Sequence, residues 1–109
     1  MKDLTKIKCV PCEGGMSPLT LNEVAKLKPQ VSGWTIDKNL KIEREFEFKN
    51  FKKAFSFLTE VALLAEKEGH HPDFTLHSWN KVKITLTTHA IGGLSENDFI
   101  VAAKISKML

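Results

Sequence analysis

The sequence predicts an α+β fold: a four-stranded antiparallel sheet with three helices on one face, in the order α-β-β-α-β-β-α. Three observations predict it. Apolar residues recur at spacings of three and four between Phe51 and Ala65, the period of a helix face. They alternate with polar residues from Leu40 to Phe48 and again from Val82 onward, the period of a half-buried strand. Each strand-like run has a second one beside it across a short turn, so the strands pair as two hairpins, and a sheet with one apolar face needs helices to cover it.

Taken in order, residues 1–16 read as an extended N-terminal arm of a single domain spanning residues 1–109. Thr20 and Glu23 form a capping box, and Leu21, Val24, Ala25 and Leu27 give the first helix one apolar face before Pro29 ends it. After a turn at Ser32-Gly33, Trp34 to Asp37 is a short strand, Lys38-Asn39 a tight turn, and Leu40 to Phe48 a longer strand. In the longer strand Leu40, Ile42, Phe46 and Phe48 face one way and Lys41, Glu43, Glu45 and Glu47 the other.

The central helix runs from Phe51 to Glu68, capped at or beside Asn50, with Phe51, Ala54, Phe55, Leu58, Val61, Ala62 and Ala65 along its apolar face. Gly69 stands where a helix end takes the left-handed conformation, and Pro72 prevents the helix from resuming and biases His71 towards an extended backbone. The second hairpin takes Phe74 to Trp79 as one strand, Asn80-Lys81 as the turn and Val82 to Thr88 as the next. Ser95 caps a last helix from Glu96 to Met108, with Asp98 at the reciprocal capping position.

Composition narrows the function classes. With 109 residues, 42% of them apolar, the chain can bury a core without staples. The formal net charge is only +3, and its basic residues are interspersed with acidic ones, which argues against a nucleic-acid surface. No run approaches the roughly 18 apolar residues of a membrane span, and the first residues lack the apolar stretch of a signal peptide, so a cytoplasmic protein with reduced thiols is expected. The two cysteines, Cys9 and Cys12, have half the spacing of a zinc ribbon, but no second cysteine pair exists and Glu13-Gly14-Gly15 after them is a loop signal. They read as incidental thiols on the arm.

The chemistry concentrates at Glu66-Lys67-Glu68-Gly69-His70-His71-Pro72, where the central helix stops. Histidine titrates nearest neutrality, so two imidazoles beside a carboxylate at a forced corner can exchange protons at physiological pH. Consecutive imidazoles at such a corner bring no folding advantage. Strand parity places His89 with Lys83 and Thr87, away from the apolar face, unless the strand bends at its end. Read alone, Asp98 is a capping carboxylate, Trp79 a packing residue and His77 a surface residue.

Glu66, three residues, His70-His71-Pro72, six residues, Trp79, nine residues, His89, eight residues and Asp98 together resemble the signature of the pterin-4a-carbinolamine dehydratase family. Gly33-Trp34, Asn80-Lys81-Val82 and Gly93-Leu94-Ser95-Glu96 extend the resemblance, and Cys-Val-Pro-Cys resembles the arm of bacterial and plant-like members. The resemblance implies a hydro-lyase that dehydrates 4a-hydroxytetrahydrobiopterin to the quinonoid dihydropterin and water, in tetrahydrobiopterin recycling after an aromatic amino acid hydroxylase. It also implies a homodimer or homotetramer. Such a dehydration needs one proton delivered to the departing hydroxyl and one removed from the neighbouring ring nitrogen, without metal or redox cofactor.

On that reading His70 and His89 flank the hydroxyl-bearing carbon as acid and base, and His71 holds the ring and helps the leaving group. Glu66 orients His70, and Asp98 does the same for His89. Gly69 and Pro72 shape the corner, and the backbone at Thr87 and Thr88 recognises the pyrimidine edge of the pterin. Two other readings compete: a histidine metal site, for which adjacent residues are poorly spaced, and a non-enzymatic dimerisation or transcriptional cofactor module.

Overall fold

The computed structural model describes residues 3–10 and 17–109, so Cys12 lies outside the described residues. Seven regular elements follow in chain order: α1 (Leu21–Leu27), β1 (Thr35–Asp37), β2 (Lys41–Glu47), α2 (Phe51–Glu68), β3 (Asp73–His77), β4 (Lys81–Leu86) and α3 (Glu96–Lys107). The strands form one antiparallel sheet in the order β1-β2-β4-β3. This is the predicted α+β architecture.

Local chemistry sets most boundaries. Thr20 accepts from the Glu23 amide while Glu23 accepts from the Thr20 amide, closing the capping box that starts α1. Asn50 accepts from the Lys53 amide at 2.9 Å and starts α2. Gly69 ends α2 at φ +69°, and a Cβ there would meet nothing within 4 Å, so the glycine is needed for backbone conformation alone.

One apolar cluster joins the sheet to the helices: Ile42, Phe46, Val82, Ile84 and Leu86 from the strands pack with Ala54, Phe57, Leu58 and Val61 of α2 and Phe99, Ile100, Val101 and Ile105 of α3. Ile42 stands opposite Leu86 and Phe46 opposite Val82, which puts these side chains on the same face. Trp34 meets the Phe46 ring edge-on at 6.0 Å.

Several expectations are corrected. The second hairpin turns at Ser78-Trp79, both left-handed at φ +50° and +58°, like Lys38-Asn39 in the first hairpin. Asn80 completes this turn, tied to Phe48 by a backbone and a side-chain hydrogen bond of 2.9 Å each, and Lys81, expected in the turn, opens β4 instead. Trp79 is therefore exposed at the hairpin tip and is not a packing residue. The regular part of β4 ends at Leu86, and Thr88 makes only an isolated bridge to Gly93.

Phe51 and Phe55 of α2, together with Leu40 and Leu21, are exposed. The face that α2 buries is Ala54, Phe57, Leu58, Val61, Ala65 and Glu68, rotated from the expected one. A wide apolar stripe leaves its edges to be decided by tertiary contact.

The arm is not incidental. Leu4 is fully buried, and its amide donates to Gln30 Oε1 at 2.8 Å. The Cys9 amide donates to Glu68 Oε1 at 2.9 Å, and the Val10 amide to Asn97 Oδ1 at 3.1 Å. Glu68 also receives Lys104 Nζ at 2.8 Å, so the arm, α2 and α3 meet at one buried ion pair. Among the described residues no helix is long and apolar enough to cross a membrane.

Candidate functional site

The corner after α2 gathers the ionisable groups. Because Gly69 turns the backbone to the left, His70 leaves the helical path and its ring is carried inward towards α3. There Nε2 lies 2.6 Å from Oδ1 of Asp98. The His70 side chain is 11% exposed and that of Asp98 is 0% exposed. The other oxygen, Oδ2 of Asp98, accepts from Thr88 Oγ1 at 2.8 Å and from the Ser95 amide at 2.9 Å. A buried carboxylate is stable only when its lone pairs are satisfied, and these donors satisfy it.

His71, held extended before Pro72, points to the other side. Its Nε2 is 2.8 Å from Glu66 Oε1, with both side chains mostly in solvent. The expected pairing of carboxylates and imidazoles is thus exchanged. Glu66 meets His71 and not His70, because helical i,i+4 spacing no longer applies once Gly69 has ended the helix. Asp98 meets His70 and not His89, because the capping position at the start of α3 faces the end of α2.

His89 leaves the sheet. The chain departs from β4 after Leu86 and enters a 3-10 turn, His89–Ile91, closed by Gly92 at φ +70°. The His89 ring is 83% exposed, with Nε2 4.0 Å from Oδ2 of Asp73, the residue that follows Pro72. The bend brings the third imidazole beside the corner, and its contact there is with Asp73.

Thr88 and Thr87 point to opposite sides. Thr88 is buried in the Asp98 network, while Thr87 Oγ1 donates to the Leu40 carbonyl at 2.6 Å. Neither hydroxyl is directed at an open site, and the Thr88 backbone is itself paired, its N–H donating to the Gly93 carbonyl at 2.9 Å and its carbonyl accepting from the Ile91 amide at 3.2 Å. Ser95 was legible as a cap, but its hydroxyl, 2.7 Å from that of Thr88, also belongs to the network. His77 stands apart on the outer sheet face, between Glu45 and Ser78.

The arrangement offers proton transfer. His70 has one nitrogen fixed by a buried carboxylate, and Nδ1 has no protein partner among the described residues; His71 and His89 are open to solvent. Among the described residues no three histidine, cysteine, aspartate or glutamate side chains are grouped to hold a metal ion. A cleft of about 950 Å³ lies elsewhere, between Phe48, Phe57, Lys52 and the C-terminal Met108 and Leu109. Among the described residues that line it, Glu60 is an acidic side chain and none is a histidine.

Comparison with known proteins shows the family. Residues 17–108 match the model of a family described as pterin 4 alpha carbinolamine dehydratase. A putative pterin-4-alpha-carbinolamine dehydratase of Alkaliphilus metalliredigens is 51% identical over 108 residues, covering 98% of this chain and 96% of that protein. The mitochondrial pterin-4-alpha-carbinolamine dehydratase 2 of Arabidopsis thaliana is 46% identical over 112 residues, covering 99% of this chain and 60% of that one. A crystal structure from Brucella melitensis, described as a transcriptional coactivator/pterin dehydratase, superimposes with a TM-score of 0.76 at 36% identity, covering 84% of this chain and 98% of the other. The matched segment contains the whole histidine corner together with Asp98, and the chain belongs to the pterin 4 alpha carbinolamine dehydratase family.

Proposed function

We propose that this protein dehydrates a 4a-hydroxytetrahydropterin, 4a-hydroxytetrahydrobiopterin being the expected substrate, to the quinonoid dihydropterin and water. The observation that carries the reading is the corner itself. His70 is anchored on the buried Asp98 with Nδ1 free of protein partners among the described residues, and His89 and His71 are open beside it. His70 and His89 act as the acid–base pair across the hydroxyl-bearing carbon. His71, paired with Glu66, holds the ring and assists the departing hydroxyl. Gly69 and Pro72 set the corner's shape, and the backbone of Thr87 and Thr88 meets the pyrimidine edge. Each well-placed acid or base contributes about 10²- to 10⁴-fold. Proton transfer of this kind asks for no cofactor.

The test follows the absorbance of a chemically generated 4a-hydroxytetrahydropterin. The protein should accelerate its dehydration, with a large loss in His70→Ala and in His89→Ala; equal rates with and without protein would remove the enzyme reading. The supply of substrate by an aromatic amino acid hydroxylase, a cytoplasmic location and assembly as a homodimer or homotetramer are parts of the same proposal. Light scattering decides the last.

A second reading, a protein-binding module, is supported by the coactivator description of the Brucella melitensis protein and by the exposed Phe51, Phe55 and Leu63 along α2. A protein without dehydration activity that still bound a partner through these residues would favour it.

A further inference from the structure

We propose that Thr88 and Ser95 are positioning residues: their hydroxyls form a one-way hydrogen-bond chain onto Asp98 that fixes the tautomer of His70 and makes its Nδ1 the proton acceptor of the dehydration. The inference rests on the dehydratase reading for its chemical meaning, but its geometry stands apart from it.

The chain follows from counting hydrogens. Oδ2 of Asp98 takes the Ser95 backbone N–H at 2.9 Å and Thr88 Oγ1 at 2.8 Å. An ionised carboxylate only accepts, so the single hydroxyl hydrogen of Thr88 is committed to it. The 2.7 Å contact between Thr88 Oγ1 and Ser95 Oγ then has one possible direction, with Ser95 donating and Thr88 accepting. All three residues are buried, Asp98 completely, so water does not compete for these bonds and each polarises the next.

With Oδ2 occupied by two donors, Oδ1 is left for His70. At 2.6 Å from a carboxylate oxygen, Nε2 must carry the hydrogen. The neutral ring then has its lone pair on Nδ1, the nitrogen with no protein partner among the described residues. The surrounding ionisable groups are occupied with each other: Glu66 with His71, Asp73 with His89, and Glu68 with Lys104. None of them replaces Asp98 as the partner of Nε2.

In the reaction, Nδ1 of His70 takes the proton from the pterin ring nitrogen. The electron pair of that N–H bond forms the new C=N bond, and the 4a hydroxyl leaves as water with a proton from a second imidazole. Hydroxyl and acid are both accounted for, and no oxidant is needed. His70 is the base of the pair, which leaves His89 as the acid.

The experiment reads the tautomer directly and then the rate. With ¹⁵N-labelled histidine, the neutral ring of His70 should show a protonated-type Nε2 and an unprotonated-type Nδ1 in the wild-type protein. Thr88→Val removes the donor while keeping the shape. It should shift these signals towards a mixture of tautomers and lower kcat by about tenfold or more, the loss of one hydrogen bond to a charged group. Thr88→Ser should restore both. Should Thr88→Val fail to fold, Thr88→Ala, which removes the same donor with a smaller side chain, gives the same decision. Wild-type nitrogen signals and wild-type turnover in a folded Thr88→Val or Thr88→Ala protein would overturn the proposal. If the wild type shows no turnover, the dehydratase reading fails, and the nitrogen signals still decide the hydrogen-bond chain.

Discussion

The imidazole of His70 is held 2.6 Å from Asp98, a carboxylate fully out of solvent at the first turn of α3. One side chain therefore does two things: it caps a helix through the Ser95 amide and anchors an imidazole at the end of another helix. Asp98→Asn separates the two roles. An asparagine still accepts from the Ser95 amide but brings no charge, and its amide hydrogens favour the wrong tautomer of the ring. The rate of dehydration should fall about 10²- to 10⁴-fold in a protein that still melts cooperatively. A variant within threefold of the wild type would show that His70 needs no carboxylate.

The second dyad is exposed, and so it should matter less. Glu66 and His71 have side chains 78% and 61% exposed, and a pair so open to water contributes little to stability, on the order of 0–1 kcal/mol. Glu66→Gln should leave the melting temperature nearly unchanged and reduce kcat/KM by less than about tenfold. A collapse of activity equal to that of Asp98→Asn would give Glu66 a direct part in the chemistry.

At the tip of the second hairpin, Trp79 occupies a left-handed backbone conformation with its indole mostly in solvent. A bulky residue there carries a strain of about 1–2 kcal/mol that glycine does not. Trp79→Gly should raise the melting temperature by about 4 °C or more in a domain of this size. A lowered melting temperature would mean that the indole makes stabilising contacts that outweigh the strain.

How much of this was legible in the sequence depends on the range of the interaction. The boundaries of α2 and the caps at Thr20, Asn50, Gly69 and Ser95 are local matters of backbone satisfaction, and residues within one turn announce them. The turn of the second hairpin was legible only in part. Asn80 belongs to it, but its ties to Phe48, 32 positions away, and the pairing of Lys81 with Glu47 set the register, so the turn reaches back to Ser78 and Lys81 opens β4. The histidine–carboxylate partners were exchanged for the same reason: extrapolating helical spacing past Gly69 ignores the direction the chain takes afterwards. The three histidines and Asp98 could be named from the resemblance to the family's signature, while the hydroxyl chain behind Asp98 needed the fold.

Glu68 sets a pH window. Burial opposes its ionisation, but the hydrogen bonds from Lys104 and the Cys9 amide, with the Lys104 charge, hold its carboxyl below the ordinary value of 4.5. The unfolded chain therefore takes up a proton near that value while the folded one resists it. The stability this group contributes is present above about pH 4.5 and is lost as the pH falls through its folded value. Denaturant titrations should show that acid sensitivity, and Glu68→Gln should remove part of it. An identical pH dependence in the variant would show that the ion pair is not the cause.

Burial pushes the Cys9 thiol up to about 12, with the Glu68 charge adding to the effect. The thiolate is the reactive form, so the native thiol is held back from reaction at pH 8. In a Cys12→Ser background, a disulfide reagent should label the native protein slowly and the urea-unfolded protein at the rate of a free thiol. Fast labelling without denaturant would place Cys9 outside the core.

The stitching of residues 3–10 over the back of the molecule bears on how the chain can be cut. The segment shared with the family starts at residue 17, so a truncation designed from family boundaries would discard Leu4 and Cys9 together. It would open a slot lined by apolar side chains and strip one donor from Glu68, immediately before the residue at which the helix turns towards His70. A fragment trimmed this way would keep every residue of the proposed site and lose the brace behind it.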